Sequence, residues 1–496
     1  MTRLEGFHAE PSDWRSFRDG FLIGDAPSVD PPPVSASWLG MHVTDGELSV
    51  WRDRAVNGPF RVAGDFSANS PGDWSRIVAQ KDSFLANPSR DMYTSGTIAG
   101  WNNDFKELAR YMRSAAFFHL VRHPSESTGT VATAVRDRLV NQAGMVDFTN
   151  RTEWPLEQLY DRPPSWQVCE WLFNHIHAYD YIRAYERETG QTVFSSAQRQ
   201  QLLTWFYHAA DYWQHDSNKS HDNLLGTGRW NDPPTYKTLT WGTTHIGFHN
   251  GSQTFTHPNV VRFFNNRKAH LFAFPAVAGV YLQTEGFTPP AGASPGLSLD
   301  MLRKQGRLWI EEDLKFATSA FPSYFGDSNR WTSSLPNLGW SYWTASVGRA
   351  HEIADIEARL GNPSIYKYGT TYGQVGSATT FAKTLKYVLQ DFQKYVREEH
   401  NLFGSNDLSN NTFFYKITTR GGNRERIRDV GLTLSSLWYQ DDLIDSTLNR
   451  SASGAPGFPV SAEGAGLGFG PEGANVELPG ALFMFAGTGA DPYPER

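Results

Sequence analysis

SWQVCEWLFNHIHAYDYIRAYERE, residues 165–188, decides the fold class. Leu172, Ile176, Tyr179 and Ile182 recur at steps of three and four, which puts them on one face of an α-helix and excludes the two-residue alternation of a half-buried strand. The same spacing extends outward. Upstream it organises DFKELARYMRSAAFFHLV (104–121) and TVATAVRDRLVNQ (130–142). Downstream it organises SAQRQQLLTWFYHAADYW (196–213), with Ser195 and Ser196 as N-cap residues, then NVVRFFNNRKAHLFAFPAVAGVYL (259–282). It continues in 299–321, 339–361 and 378–400. Pro275 lacks an N–H and is expected to kink or open its helix.

Paired amphipathic helices with no strands between them predict a mainly α fold over residues 96–400, built as an incomplete (α/α) toroid or barrel of helical hairpins. Residues 1–95 carry PPP at 31–33 and alternating pieces such as HVTDGELSVW (42–51), so they are expected to be loops with a few strands. Residues 401–496 contain GLTLSSLWYQDD and a long Gly/Pro-rich run, expected as an irregular or small β segment packing back on the body. Residues 217–258, rich in Gly, Asn, Asp, Pro and Thr, read as a long loop and the first candidate for an active-site wall.

Composition narrows the function. The chain has 496 residues, 39% of them hydrophobic, enough for a large core. No stretch approaches the roughly 20 apolar residues of a membrane helix, and residues 1–30 lack the order of a signal peptide. A secreted or periplasmic protein whose leader has been removed, or a cytoplasmic one, is expected. A net charge of −7 without a Lys/Arg run argues against nucleic acid or an anionic membrane as partner. The single cysteine, Cys169, lies among apolar residues and reads as a buried thiol. Sequons at Asn150, Asn218 and Asn250 do not fix the compartment. Aromatic residues make up 14% of the chain, with 17 Trp and 20 Tyr, and flat amphipathic rings favour stacking on sugars. HExxH and the phosphate-binding GxxxxGK[ST] loop are missing from the sequence.

Three stretches, in this order, resemble the alginate lyase-like α/α-toroid polysaccharide lyases. They are 165–188; NNRKAHLFAFPAVAGVYL (265–282), similar to that family's Asn-Asn-His helix start; and FPSYFGDSNRWTSSLPNLGWSYW (321–343) followed by IYKYGTTYG (365–373). The resemblance covers about half the chain. It implies β-elimination on an anionic, 4-linked uronate polymer, leaving a 4,5-unsaturated end, with no metal and no organic cofactor. It aligns Asn266 with the residue that neutralises the uronate carboxylate. Arg267 stands where the family has His, and a guanidinium can hold a carboxylate but is a poor base. The base is then sought among His270, one turn from Asn266, His245 in THIGFHNG, and tyrosines. Tyr342, or alternatively Tyr324, matches the catalytic Tyr, and Arg330 matches the family's substrate-binding Arg. His221, Asn223, Trp230 and His249 complete the expected substrate-binding set. The chemistry explains these residue types, since abstraction of the C5 proton needs a neutralised carboxylate, a base and an acid for the leaving O4.

Two rival expectations stand beside this one. A hydrolase on the same toroid needs paired carboxylates, for which Asp441 with Asp442, or Glu311, Glu312 and Asp313, are the candidates. A non-catalytic carbohydrate-binding protein needs only the aromatic cleft. The polymer, the mode of attack and the oligomeric state are not legible in the sequence.

Overall fold

The computed structural model describes residues 37–58, 73–88, 105–149, 164–224, 266–290, 298–303, 336–368, 430–440, 481–485 and 491–494, together with Gly306, Arg307, Ile310, Leu478 and Gly489. The described chain is mostly helical. Strands β1 (Trp38–Gly40) and β2 (Val43–Thr44) pair antiparallel. They lead into α1 (Asp45–Asn57) and α2 (Asp73–Ala86). Then come α3 (Phe105–Arg122), α4 (Gly129–Met145), α5 (Pro164–Thr189), α6 (Ser196–Leu224), α7 (Asn266–Thr284) and α8 (Pro336–Arg359). Helices α9 (Val430–Tyr439) and α10 (Ala481–Phe485) lie in the C-terminal segment. No helix among the described residues is long and apolar enough to cross a membrane.

Three expectations need correction, one being the C-terminal segment, expected as irregular or small β structure, whose described residues form helices α9 and α10. The N-terminal segment, read as loops and strands, holds two helices. HVTDGELSVW alternates only as far as Thr44, which begins a helix through a capping box: Thr44 Oγ1 accepts from the Glu47 N–H at 3.3 Å and the Glu47 carboxylate accepts from the Thr44 N–H at 3.1 Å. Residues 217–258 were expected as one long loop, but α6 continues to Leu224. Their composition marks a solvated helix end as readily as a loop, because helix propensity is only a weak prior for polar residues.

Ring and charge contacts give the helix directions. Along α5 and α7, Phe173 meets Phe274 (5.4 Å between centroids), Tyr179 meets Tyr281 (6.0 Å) and Arg183 reaches Glu285 (3.2 Å). Both helices therefore advance together. Along α7 and α8, Arg349 joins His270, and further on Arg303 links Gln283 to Glu357. Along α3 and α5, Phe117 meets Tyr181 and His123 meets Glu188. Helices α3, α5, α7 and α8 are thus parallel. Helix α6 returns antiparallel: its Trp205 meets Trp171 near the start of α5, whereas Phe194, just before α6, meets Tyr179 further along.

Contacts pass from α2 to α3, α5, α7, α8, α9 and α10, and from α10 back to α2, while α4 packs on α3, α5 and α6. In this order α5, α7 and the second half of α8 are enclosed. Ala269, Phe272, Phe274, Val277 and Tyr281 of α7 are all buried, and so are Cys169, Trp171 and Leu172 of α5. Each large apolar side chain so buried contributes roughly 1.5–3 kcal/mol. Helix α7 remains helical on both sides of Pro275. Close approach is enforced at Gly40, where a Cβ would lie 2.6 Å from Asp180 Oδ2, and at Gly279, where it would lie 2.8 Å from Leu302 Cβ. The C-terminal residues close the contacts: Trp51 Nε1 donates to the Met484 carbonyl (2.6 Å) and Arg54 to that of Phe483 (2.7 Å).

Candidate functional site

Helix α8 places Arg349, Glu352, Asp355 and Arg359 at steps of three and four, so they share one face, and that face points inward. All four are 0–1% exposed. Charges in such a position persist only when each is paired and hydrogen-bonded. The pairing is continuous. Arg349 Nε donates to His270 Nδ1 (3.0 Å) and its Nη1 to Glu352 Oε2 (2.8 Å), while its guanidinium lies 3.6 Å from the centre of the Phe173 ring. His270 Nε2 stands 3.9 Å from Glu170. Glu352 Oε1 meets His177 Nε2 at 2.7 Å. His42, from the β1–β2 hairpin, lies beside His177 with 5.6 Å between ring centres, and its Nδ1 meets Asp355 Oδ2 at 2.7 Å. Asp355 also accepts from Arg359 Nε (2.6 Å) and the Tyr493 hydroxyl (2.6 Å). Arg359 then clamps Glu47 bidentately at 2.6 and 2.8 Å.

The electrostatics follow from burial and these partners. Burial opposes the charge on Glu352, but Arg349 and the His177 hydrogen bond outweigh it and hold the carboxyl down at about 2. Burial takes His177 down to about 4 in spite of Glu352, so the ring is neutral near pH 7 and donates its Nε2 proton. Asp355 is likewise below the usual carboxylate range: burial opposes its charge, and Arg359 prevails. Asp180 behaves oppositely. Burial raises it to about 6 against the pull of Arg187 and of the Met41 N–H, which it accepts at 2.9 Å.

The parallel helices relate this seam to the expected site. Asn266 is the first residue of α7, one turn before His270, and Tyr342 lies two turns before Arg349 on α8. Because His270 and Arg349 touch, Asn266 and Tyr342 stand on the same side of that contact, about 6 Å and 10 Å along their helices at 1.5 Å per residue. Arg267 follows Asn266 in the first turn of α7. His221 and Asn223 occupy the last turn of antiparallel α6, at the end where α5 and α7 begin. His270 itself has 0% exposure. Its Nδ1 is taken by Arg349, a setting that suits holding the start of α7 better than meeting a polymer. His245, His249 and Trp230 lie outside the described residues, in the stretch leading into α7. Tyr324 and Arg330 also lie outside them, in the stretch leading into α8. Asp441, Asp442, Glu311, Glu312 and Asp313 are outside the described residues as well.

Sequence reasoning missed His42, His177, Arg349, Glu352, Asp355 and Arg359. The available signal was RAHEIADIEAR (349–359), where charges at helical spacing alternate with Ala350, Ile353, Ala354, Ile356 and Ala358 and leave no purely polar face for water. Cys169 is a buried thiol, as its surroundings indicated. Comparison of the chain with family models, curated proteins and solved structures finds no match in any of the three.

Proposed function

We propose that the chain is a polysaccharide lyase of α/α-toroid architecture, acting on an anionic 4-linked uronate polymer by β-elimination. The observation that carries the reading is the parallel course of α3, α5, α7 and α8. It gathers their N-termini at one end, and Asn266, Arg267 and Tyr342 belong to that end. Helix N-termini carry partial positive charge and unpaired N–H groups, so several together attract a carboxylate. The closed order of helix contacts supports the toroid.

In this reading the Asn266 amide and Arg267 guanidinium neutralise the uronate carboxylate, and the C5 proton becomes acidic as charge develops on the carboxylate. A Tyr or His takes that proton. The C5–H electrons form the C4=C5 bond, the C4–O4 bond breaks, and Tyr342 or Tyr324 protonates the departing oxygen. His270 acts as a positioning residue, tied through Arg349 to Glu352. A polymeric substrate of this kind favours a secreted or periplasmic enzyme over a cytoplasmic one.

The test is ultraviolet absorbance of the conjugated product during incubation with polymannuronate, polyguluronate and glucuronan, alongside a reducing-end assay and an Asn266→Ala control. Absorbance rising on one polymer and lost in the control is expected. New reducing ends without absorbance would overturn the lyase in favour of a hydrolase. Binding without cleavage of any of the three would favour a carbohydrate-binding role.

A further inference from the structure

We propose that His42, His177 and Glu352 form a site for one divalent cation of the imidazole-binding class, zinc foremost. Each of the three offers a ligand atom, and these atoms lie within 4.8 Å of one another. All three residues are 0–1% exposed. They come from separate elements, the β1–β2 hairpin, α5 and α8, so the cluster is a product of the tertiary fold.

The hydrogen bonding around the rings points to a ligand. Asp355 accepts from Arg359, from Tyr493 and at 2.7 Å from His42, and a carboxylate fixed by an arginine can only accept. The proton of His42 therefore sits on Nδ1, and Nε2 presents a lone pair. Glu352 accepts from Arg349 and faces His177 Nε2, so that nitrogen carries the proton and Nδ1 presents the lone pair. Neither His42 Nε2 nor His177 Nδ1 has a hydrogen-bond partner among the described residues. A buried acceptor left unpaired costs about 1–3 kcal/mol. The buried His42 Nε2, on a ring beside His177, therefore calls for an occupant that accepts an electron pair.

A cation meets that need. Asp355 behind His42 Nδ1 supplies the carboxylate–histidine–metal arrangement that fixes tautomer and ring orientation. His177 offers Nε2, whose proton is released as the cation binds, and Glu352 offers Oε1 while Arg349 retains Oε2. Two neutral imidazoles and one carboxylate form a donor set suited to zinc and its neighbours rather than to calcium or magnesium. Ligands on one zinc, at about 2.0–2.1 Å each, stand roughly 3.3 Å apart, so on binding the His177–Glu352 pair opens from 2.7 Å and the widest pair closes from at most 4.8 Å. Full burial means that the cation enters as the chain folds. The inference does not depend on the lyase reading.

The experiment is metal analysis of the full chain purified from zinc-supplemented cells, and of the same chain refolded with Zn²⁺, with Co²⁺ or with a chelator. One equivalent of zinc per chain is expected, with a visible d–d spectrum for the cobalt form and a Tm above that of the chelated protein. His42→Gln should lose both the equivalent and the Tm difference. If that variant does not fold, the stoichiometry and cobalt spectrum of the unaltered chain still decide. Well under one equivalent after refolding with zinc, with Tm indifferent to the chelator, would overturn the site. A full equivalent retained by folded His42→Gln would do the same.

Discussion

Against α7, helix α5 sets Phe173 and Tyr179 on Phe274 and Tyr281; towards α8, one turn from Phe173, it sets His177 on Glu352 in a seam of charge that runs from Glu170 to Glu47. Both seams are fully buried. The aromatic one gains from every ring removed from water, and its energy falls in steps when rings are trimmed. The charged one gains little over an apolar replacement, yet removing one member strands its partners without water. One helix therefore carries a seam that degrades gradually and a seam that fails at single residues.

The largest effect is expected at the charged seam. Arg359→Met leaves Glu47 and Asp355 buried without their shared cation and should cost about 3–5 kcal/mol at neutral pH by denaturant melts. The sign with pH is fixed. Arg359 holds the Asp355 pKa below its unfolded value, so the stabilisation is present above the unfolded pKa and is lost as pH falls through the folded one. The gap between Arg359→Met and the unaltered chain should accordingly narrow in acid. A gap that stays constant would show that Arg359 acts through packing on Phe485 and Tyr493 instead.

At the aromatic seam, Phe274→Leu should cost on the order of 1–2 kcal/mol from the lost ring volume, independent of pH. A pH-dependent loss would mean that the two seams are coupled through Phe173, whose ring lies under Arg349. Thr44→Ala removes the cap of α1 and should cost about 1 kcal/mol, measured as a Tm shift. The smallest effect is expected at Tyr281, whose buried hydroxyl has no hydrogen-bond partner among the described residues. Tyr281→Phe should leave stability unchanged or slightly raised in a thermal melt. A clear loss would place a partner on that hydroxyl and move Tyr281 to the polar side of the comparison.

The two seams also differ in how they could be read from sequence. Apolar periodicity in 165–188 and 259–282 announced the helices and their buried faces, because a hydrophobic stripe leaves the same trace wherever its partner lies. The charged seam left no such trace. His42 and Asp355 are 313 residues apart, and His177 and Glu352 are 175 apart. A charge on a helix looks the same in one dimension whether it meets water or a distant arginine. The expected site divides similarly. Asn266 opens the described part of α7, within the helical pattern read over 259–282. The burial of His270 could not be anticipated, since it follows from Arg349 on a helix, α8, that begins only at Pro336. The capping box of Thr44 and Glu47 was legible but was outweighed by the alternation around it.

Trp51 and Met484 meet across 433 residues, Arg54 and Phe483 across 429, and Asp355 and Tyr493 across 138. Such contacts make the topology costly to reach, because the chain loses loop entropy long before those bonds repay it. During synthesis the early helices must wait, with the Trp51 indole, the Arg54 guanidinium and one oxygen of Asp355 lacking their final partners, until the segment around 483–493 emerges. That segment behaves as a clasp, tying the first helix to the end of α8 by hydrogen bonds that only its own arrival can complete.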